Sequence, residues 1–142
     1  MATTTFPAIL DRFQAVCEGA TLSLSATQVP FSHAREPNAV VDASYYLEDA
    51  GLNESRVGTS DLEFRVDRLT VWLARRSGQD GQTAIETLET TLTTLERLVI
   101  ADGRSNHYHA TVAGRSAPEL TGDGGLIVAG LTFAVDYDFS TV

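Results

Sequence analysis

From Gly125 to Phe139 the chain is apolar on both alternations. Odd positions read Ile127, Ala129, Leu131, Phe133, Val135, Tyr137 and Phe139; even positions read Leu126, Val128, Thr132 and Ala134 before turning acidic at Asp136 and Asp138. Side chains alternate across a strand, so a strand with one wet face alternates apolar and polar. This segment predicts a strand covered on both faces for most of its length. Two stretches carry helical spacing. Phe6, Ile9, Leu10, Phe13, Val16 and Cys17 recur at three and four residues, with Thr5 as cap, Pro7 in the first turn and Gly19 as the stop. Ile85, Leu88, Leu92, Leu95 and Val99 mark a second helix over 83–100, ended by Gly103. Its threonines are modest helix formers, so packing must hold it. Two helices are little cover for a two-faced strand, so a partner subunit is expected to cover part of the sheet.

Shorter alternations fill in the rest. Thr21 to Ser25 reads as a first strand and Ala39 to Leu47 as a second, with Val41, Ala43, Tyr45 and Leu47 on one face and Asp42, Ser44 and Tyr46 on the other. Pro30 and Pro37 bracket a loop carrying His33 and Arg35. Residues 48–61 (EDAGLNESRVGTSD) are polar and aperiodic, which predicts a long connecting loop or arm. Leu62 to Ala74 is a third strand whose apolar parity slips at Asp67-Arg68, a sign of a bulge. Asn106 to Ala113 is a fourth strand, Gly114 to Gly125 a loop, and the two-faced segment is the fifth. The order α-β-β-β-α-β-β is an α+β fold: two helices packed on a mostly antiparallel mixed sheet, in one domain spanning 1–142.

The charge excludes some partners. The chain has net charge -9, with 19 acidic residues against 10 basic ones, and every basic residue is Arg. Without a basic face, strong grip on nucleic acid or an anionic membrane is not expected. No apolar run is long enough to cross a bilayer as a helix, and no signal-peptide pattern opens the chain. Cys17 is the sole cysteine, so no intrachain disulfide is possible; on the apolar stripe it reads as a small buried hydrophobe.

No catalytic constellation emerges, and the chain is expected not to be an enzyme and to need no cofactor. His107 and His109, at i and i+2 of a strand, could begin a zinc site, but a third ligand would have to come from His33 or a distant carboxylate, so no metal is assigned. A Ser-His-Asp set has no nucleophile elbow, and Gly122-Asp123-Gly124-Gly125 precedes a strand and lacks the Lys of a phosphate loop. Trp72 sits on the parity opposite Leu69, Val71 and Leu73, and Tyr46 on the polar parity of its own strand. Because Trp, Tyr and Arg are enriched in interfaces, the candidate subunit contacts are Tyr46, Arg65, Arg68, Trp72 and Arg76. Asp136 and Asp138 read as a solvated edge or as the lining of a water-filled lumen. Trp72→Ala is expected to weaken an oligomer and leave the monomer folded.

The opening helix (FPAILDRFQAVCEG), the strand that runs through a polar turn into the second helix (RVDRLTVWLARRSGQDGQTAIETLETTLTTLERLVI) and the closing strand (LIVAGLTFAVDYDF) together resemble the tail terminator proteins of long-tailed bacteriophages. The resemblance covers nearly the whole chain and is one of architecture and pattern. It implies a structural virion protein that closes into a ring, usually a hexamer, caps the tail tube, ends its growth and offers the head-joining surface. The implied partners are further copies of the chain, the tail tube protein and a head-tail connector or head-closure protein, with DNA passing through unbound. The implied location is the head–tail junction of a virion assembled in host cytoplasm. A connector or tube protein of the same assembly is the alternative, and a small ligand-binding or metal-dependent α+β domain centred on His107 and His109 is the reading from another class.

Overall fold

The computed structural model describes residues 2–20, 27–28, 44–58, 61–76, 81–120 and 125–142. Helix α1 (Phe6–Ala20) begins where Thr5 Oγ1 accepts a hydrogen bond from the Ala8 N–H at 3.3 Å, the cap expected from the sequence. Strands β1 (Thr27–Gln28), β2 (Ser44–Val57) and β3 (Leu62–Arg76) precede helix α2 (Gly81–Ser105), and β4 (His109–Arg115), β5 (Glu119–Leu120) and β6 (Leu126–Ser140) follow it. The sheet order is β1-β2-β3-β6-β4, with β5 on the same side of β6 as β4; only β1–β2 is parallel. The α+β class, two helices on a mostly antiparallel sheet, is therefore what the structure shows. The predicted first strand, Thr21 to Ser25, and the first five residues of the predicted second one lie outside the described residues.

Both helices pack on one face. Ile9, Phe13 and Cys17 of α1 and Leu88, Leu92, Leu95 and Val99 of α2 meet Leu69, Val71 and Leu73 of β3 and Leu131, Phe133 and Val135 of β6. Each such side chain contributes about 1.5–3 kcal/mol by leaving water. Phe13 sits at the junction, edge-on to Phe133 with centroids 5.4 Å apart and tilted against Tyr108 at 5.7 Å. Arg12 ties the helices together through a two-point pair with Asp102, whose carboxylate also accepts from Tyr108 Oη at 2.8 Å. In α2, Thr87, Thr91, Thr93 and Thr94 each donate to the carbonyl four residues back, which satisfies hydroxyls that would otherwise compete with the helix.

The structure corrects five expectations. Residues 48–57 are strand, not loop or arm: β2 runs on to Val57 and pairs with β3 down to Val57↔Glu63. The segment is polar on both parities because it is an edge strand reaching past the helices, wet on each side. The bulge falls on β2, not on β3. β3 pairs with β6 without interruption from Leu62↔Ser140 to Arg76↔Leu126, whereas β2 shifts register at Asp49/Gly51 and at Leu52/Glu54, where Gly51 takes a φ of 97° that favours glycine. The apolar residues of β3 change parity because Phe64 and Val66 lie on the face the helices do not cover. Helix α2 continues through Gly103 to Ser105, since Asn106 caps it from Nδ2 to the Asp102 carbonyl and carboxylate at 3.0 and 3.1 Å. Consequently β4 starts only at His109. Finally, part of the even face of β6 is covered from within: the Trp72 ring lies directly on Gly130, and Val128 is 7% exposed.

Candidate functional site

Cross-strand partners share a face, so the register sorts the sheet. On the face away from the helices stand Tyr46, Arg68, Thr70, Trp72, Ala74, Val128, Asp136 and Asp138. Its upper part is dry: Trp72 stacks on Tyr46 with centroids 6.2 Å apart and planes 10° from parallel, its Nε1–H donates to Glu48 Oε1 at 3.2 Å, and Thr70 and Thr132 hydroxyls bond at 2.8 Å. Its lower part is polar: Arg56 lies over the Phe64 ring, and Asp136 stands between Val66 and His109. Burial pushes the Asp136 carboxyl above the ordinary range and Glu54 adds to this, while His109 and Arg56 oppose it.

The five candidate contact residues do not form one surface. Tyr46 is 3% exposed and packed under Trp72, so its ring cannot meet a neighbour. Arg65 is on the opposite face, paired with Glu63 at 2.7 Å and lying 3.8 Å over the Phe139 ring. Trp72 is half-buried and spends its stacking and hydrogen-bonding capacity inside the subunit, so Trp72→Ala is now expected to destabilise the monomer itself. Arg68 and Arg76 remain as exposed residues of the face without helices. Asp136 and Asp138 share that face, both half-buried.

No family model and no curated protein matches this chain.

The histidine pair is also rearranged. His107 lies in the turn before β4, at a φ of 65°, so it is not the strand partner of His109. The two meet instead around an open cleft of about 450 Å³ at the end of α2, lined also by Phe64, Arg104, Tyr108, Asp136 and Asp138. Among the described residues, no three His, Cys, Asp or Glu side chains are placed to hold a metal ion. Likewise, no helix among them is long and apolar enough to cross a membrane.

One buried acid was not visible from the sequence. Asp67, 6% exposed, faces the helix side and accepts a hydrogen bond from Tyr137 Oη across the strands. Burial raises its pKa, and nearby Asp49 adds to that, while the Tyr137 hydroxyl and Arg65 oppose it. The folded state thus holds this proton more tightly than the unfolded chain does. The contribution is fully present below about pH 4 and is lost as pH rises through the raised value. Asp67→Asn keeps an oxygen for Tyr137 and removes the titration. Its stability relative to the parent should therefore improve between pH 4 and pH 7, about the carboxylate range; urea midpoints at the two pH values check this, and an unchanged gap would mean that Asp67 titrates normally.

What the sequence reading missed is the two lateral edges of the sheet. Leu52 (55% exposed) and Val57 (87%) stand on β2, Val112 (40%) on β4 and Leu120 (68%) on β5. The available signal was a pair of apolar residues isolated in the polar stretch GLNESRV, which a solvated loop would not need.

Proposed function

We propose that this chain is a ring-forming structural protein of a long-tailed phage virion, which caps the tail tube at the head–tail junction, ends tube growth and presents a surface to the head connector. The observation that carries this reading is the two-sidedness of the sheet. One face is clad by both helices, while the other carries no helix among the described residues and holds Asp136 and Asp138 at its lower end, with Arg68 and Arg76 exposed on the same face. In a closed ring with the helices outward, that second face becomes the wall of the channel, and the chain's net charge of -9 outweighs the arginines there, so that DNA passes without sticking. The sequence resemblance, which spans both helices and the closing strand, supports the same station. Termination is then geometric: one ring face matches the last layer of the tube, and the other does not template a further layer.

The test is tube assembly in vitro. Added to polymerising tail tube protein, this chain should arrest growth and sit as a ring on tube tips in electron micrographs. Tubes that lengthen unchanged would overturn the terminator role and leave a head-closure protein of the same junction, whereas incorporation along the tube would mark a tube subunit. The finished ring is expected to be a hexamer.

A further inference from the structure

Among the described residues, the sheet ends in two open edges. β1 pairs only with Ser44 and Tyr45, leaving β2 open from Tyr46 to Val57, and β4 and β5 have strand neighbours only on their β6 side. Open edges are templates for another strand, and proteins usually blunt them with lysine or with a covering element. Here they carry four of the six large apolar side chains that stand exposed among the described residues.

We infer that neighbouring subunits join edge to edge, the β2 edge of one copy adding to the β4–β5 edge of the next, so that the sheets run on around the ring. Three independent features agree on that occupant. First, direction: β2, β3, β6 and β4 are antiparallel in turn, so β2 and β4 run oppositely, and a second copy in the same orientation presents β2 antiparallel to β4. Second, facing: Leu52 pairs with Asp67, Val57 with Glu63, Val112 with Phe133 and Leu120 with Ile127, which places all four exposed side chains on the helix-backed face. A joined sheet would bring Leu52 and Val112 together as neighbours on that face, removing both from water. Third, charge: β2 carries Glu48, Asp49 and Glu54 against Arg56, whereas the β4–β5 edge carries Arg115 and His109 against the single carboxylate of Glu119. The bulges at Asp49/Gly51 and Leu52/Glu54 on one edge and at Val112/Gly114 on the other deny a flat template to unrelated strands. Because the two edges differ, the contact is head-to-tail, the kind that closes a ring, and not a two-fold dimer.

This inference rests on the ring reading and is tested apart from it. The full-length chain is made with Leu52→Cys, with Val112→Cys and with both, and is treated with a short bismaleimide linker that tolerates a small slip in register. Cys17 is 0% exposed, so the parent chain is the blank. The double variant should give a ladder of linked multimers, an equimolar mixture of the two single variants should give dimers, and each single variant alone should stay monomeric on a denaturing gel. Self-linked dimers of a single variant would overturn the inference in favour of a two-fold contact. Rings seen by native mass spectrometry without linked products would overturn it while leaving the ring reading standing. A monomer that links to nothing also overturns it, and the tube-arrest assay then decides the function separately.

Discussion

Gly130→Ala should cost the fold about 3 kcal/mol, at the upper end for a single added methyl group. A Cβ at this position would lie 2.8 Å from two atoms of the Trp72 ring, closer than carbon atoms approach. The ring cannot swing away cheaply, because Tyr46 stacks on it and Glu48 holds its Nε1–H. Gly130 is equally fixed from the other side: its N–H donates to Ser116 Oγ at 2.7 Å and its carbonyl accepts from the Ser116 N–H at 3.0 Å. Trp72→Ala should itself cost about 3 kcal/mol through lost packing. In that background, adding the methyl at Gly130 should be nearly free, so the two losses are far from additive. Urea denaturation of the four proteins measures the coupling. Additive losses would show that Trp72 does not lie on Gly130, and would return Trp72 to the list of candidate contacts between subunits.

The second large effect is at the helix–sheet junction. Phe13→Ala should lose about 3–5 kcal/mol, a large share of the stability of a domain this size. Phe13 is fully buried and touches both the central strand, at Phe133, and the turn after α2, at Tyr108. Neighbouring side chains cannot collapse into the space, since Tyr108 is held by Asp102 and by the Val99 carbonyl. Phe64→Ala, on the face without helices and half-exposed, should lose only about 1 kcal/mol. Equal losses at the two sites would mean that α1 docks elsewhere.

The helices and the closing strand were legible because a single rule decided each of them. The Phe6–Cys17 and Ile85–Val99 stripes face one core, and a strand covered on both faces is apolar on both parities. The lower half of β2 was not legible, because periodicity records burial, and a strand that projects past the helices is buried on neither face. The same projection made Phe64 and Val66 look like a bulge: the pattern changes face where the helices stop, although the backbone runs straight. Gly103 misled for a local reason. It resembles a helix stop, but its lack of a side chain makes room for Tyr108, whose carbonyl oxygen would lie 2.6 Å from a Cβ. The contact candidates split because composition marks Trp, Tyr and Arg as interface-prone without telling which of them already have partners inside the subunit. Leu52 and Val112 carried better information, being apolar where nothing within the chain required it.

An interior strand of the sheet is also the last of the described elements in chain order. β6 separates β3 from β4 and β5, and α1, formed first, packs its Phe13 against Phe133 of β6. A nascent chain can therefore close the β2–β3 hairpin and wind its helices, yet it holds no completed sheet until residues 126–140 have left the ribosome. A chain shortened before that point lacks the strand that joins β3 to β4 and β5, so it is eliminated by failing to fold.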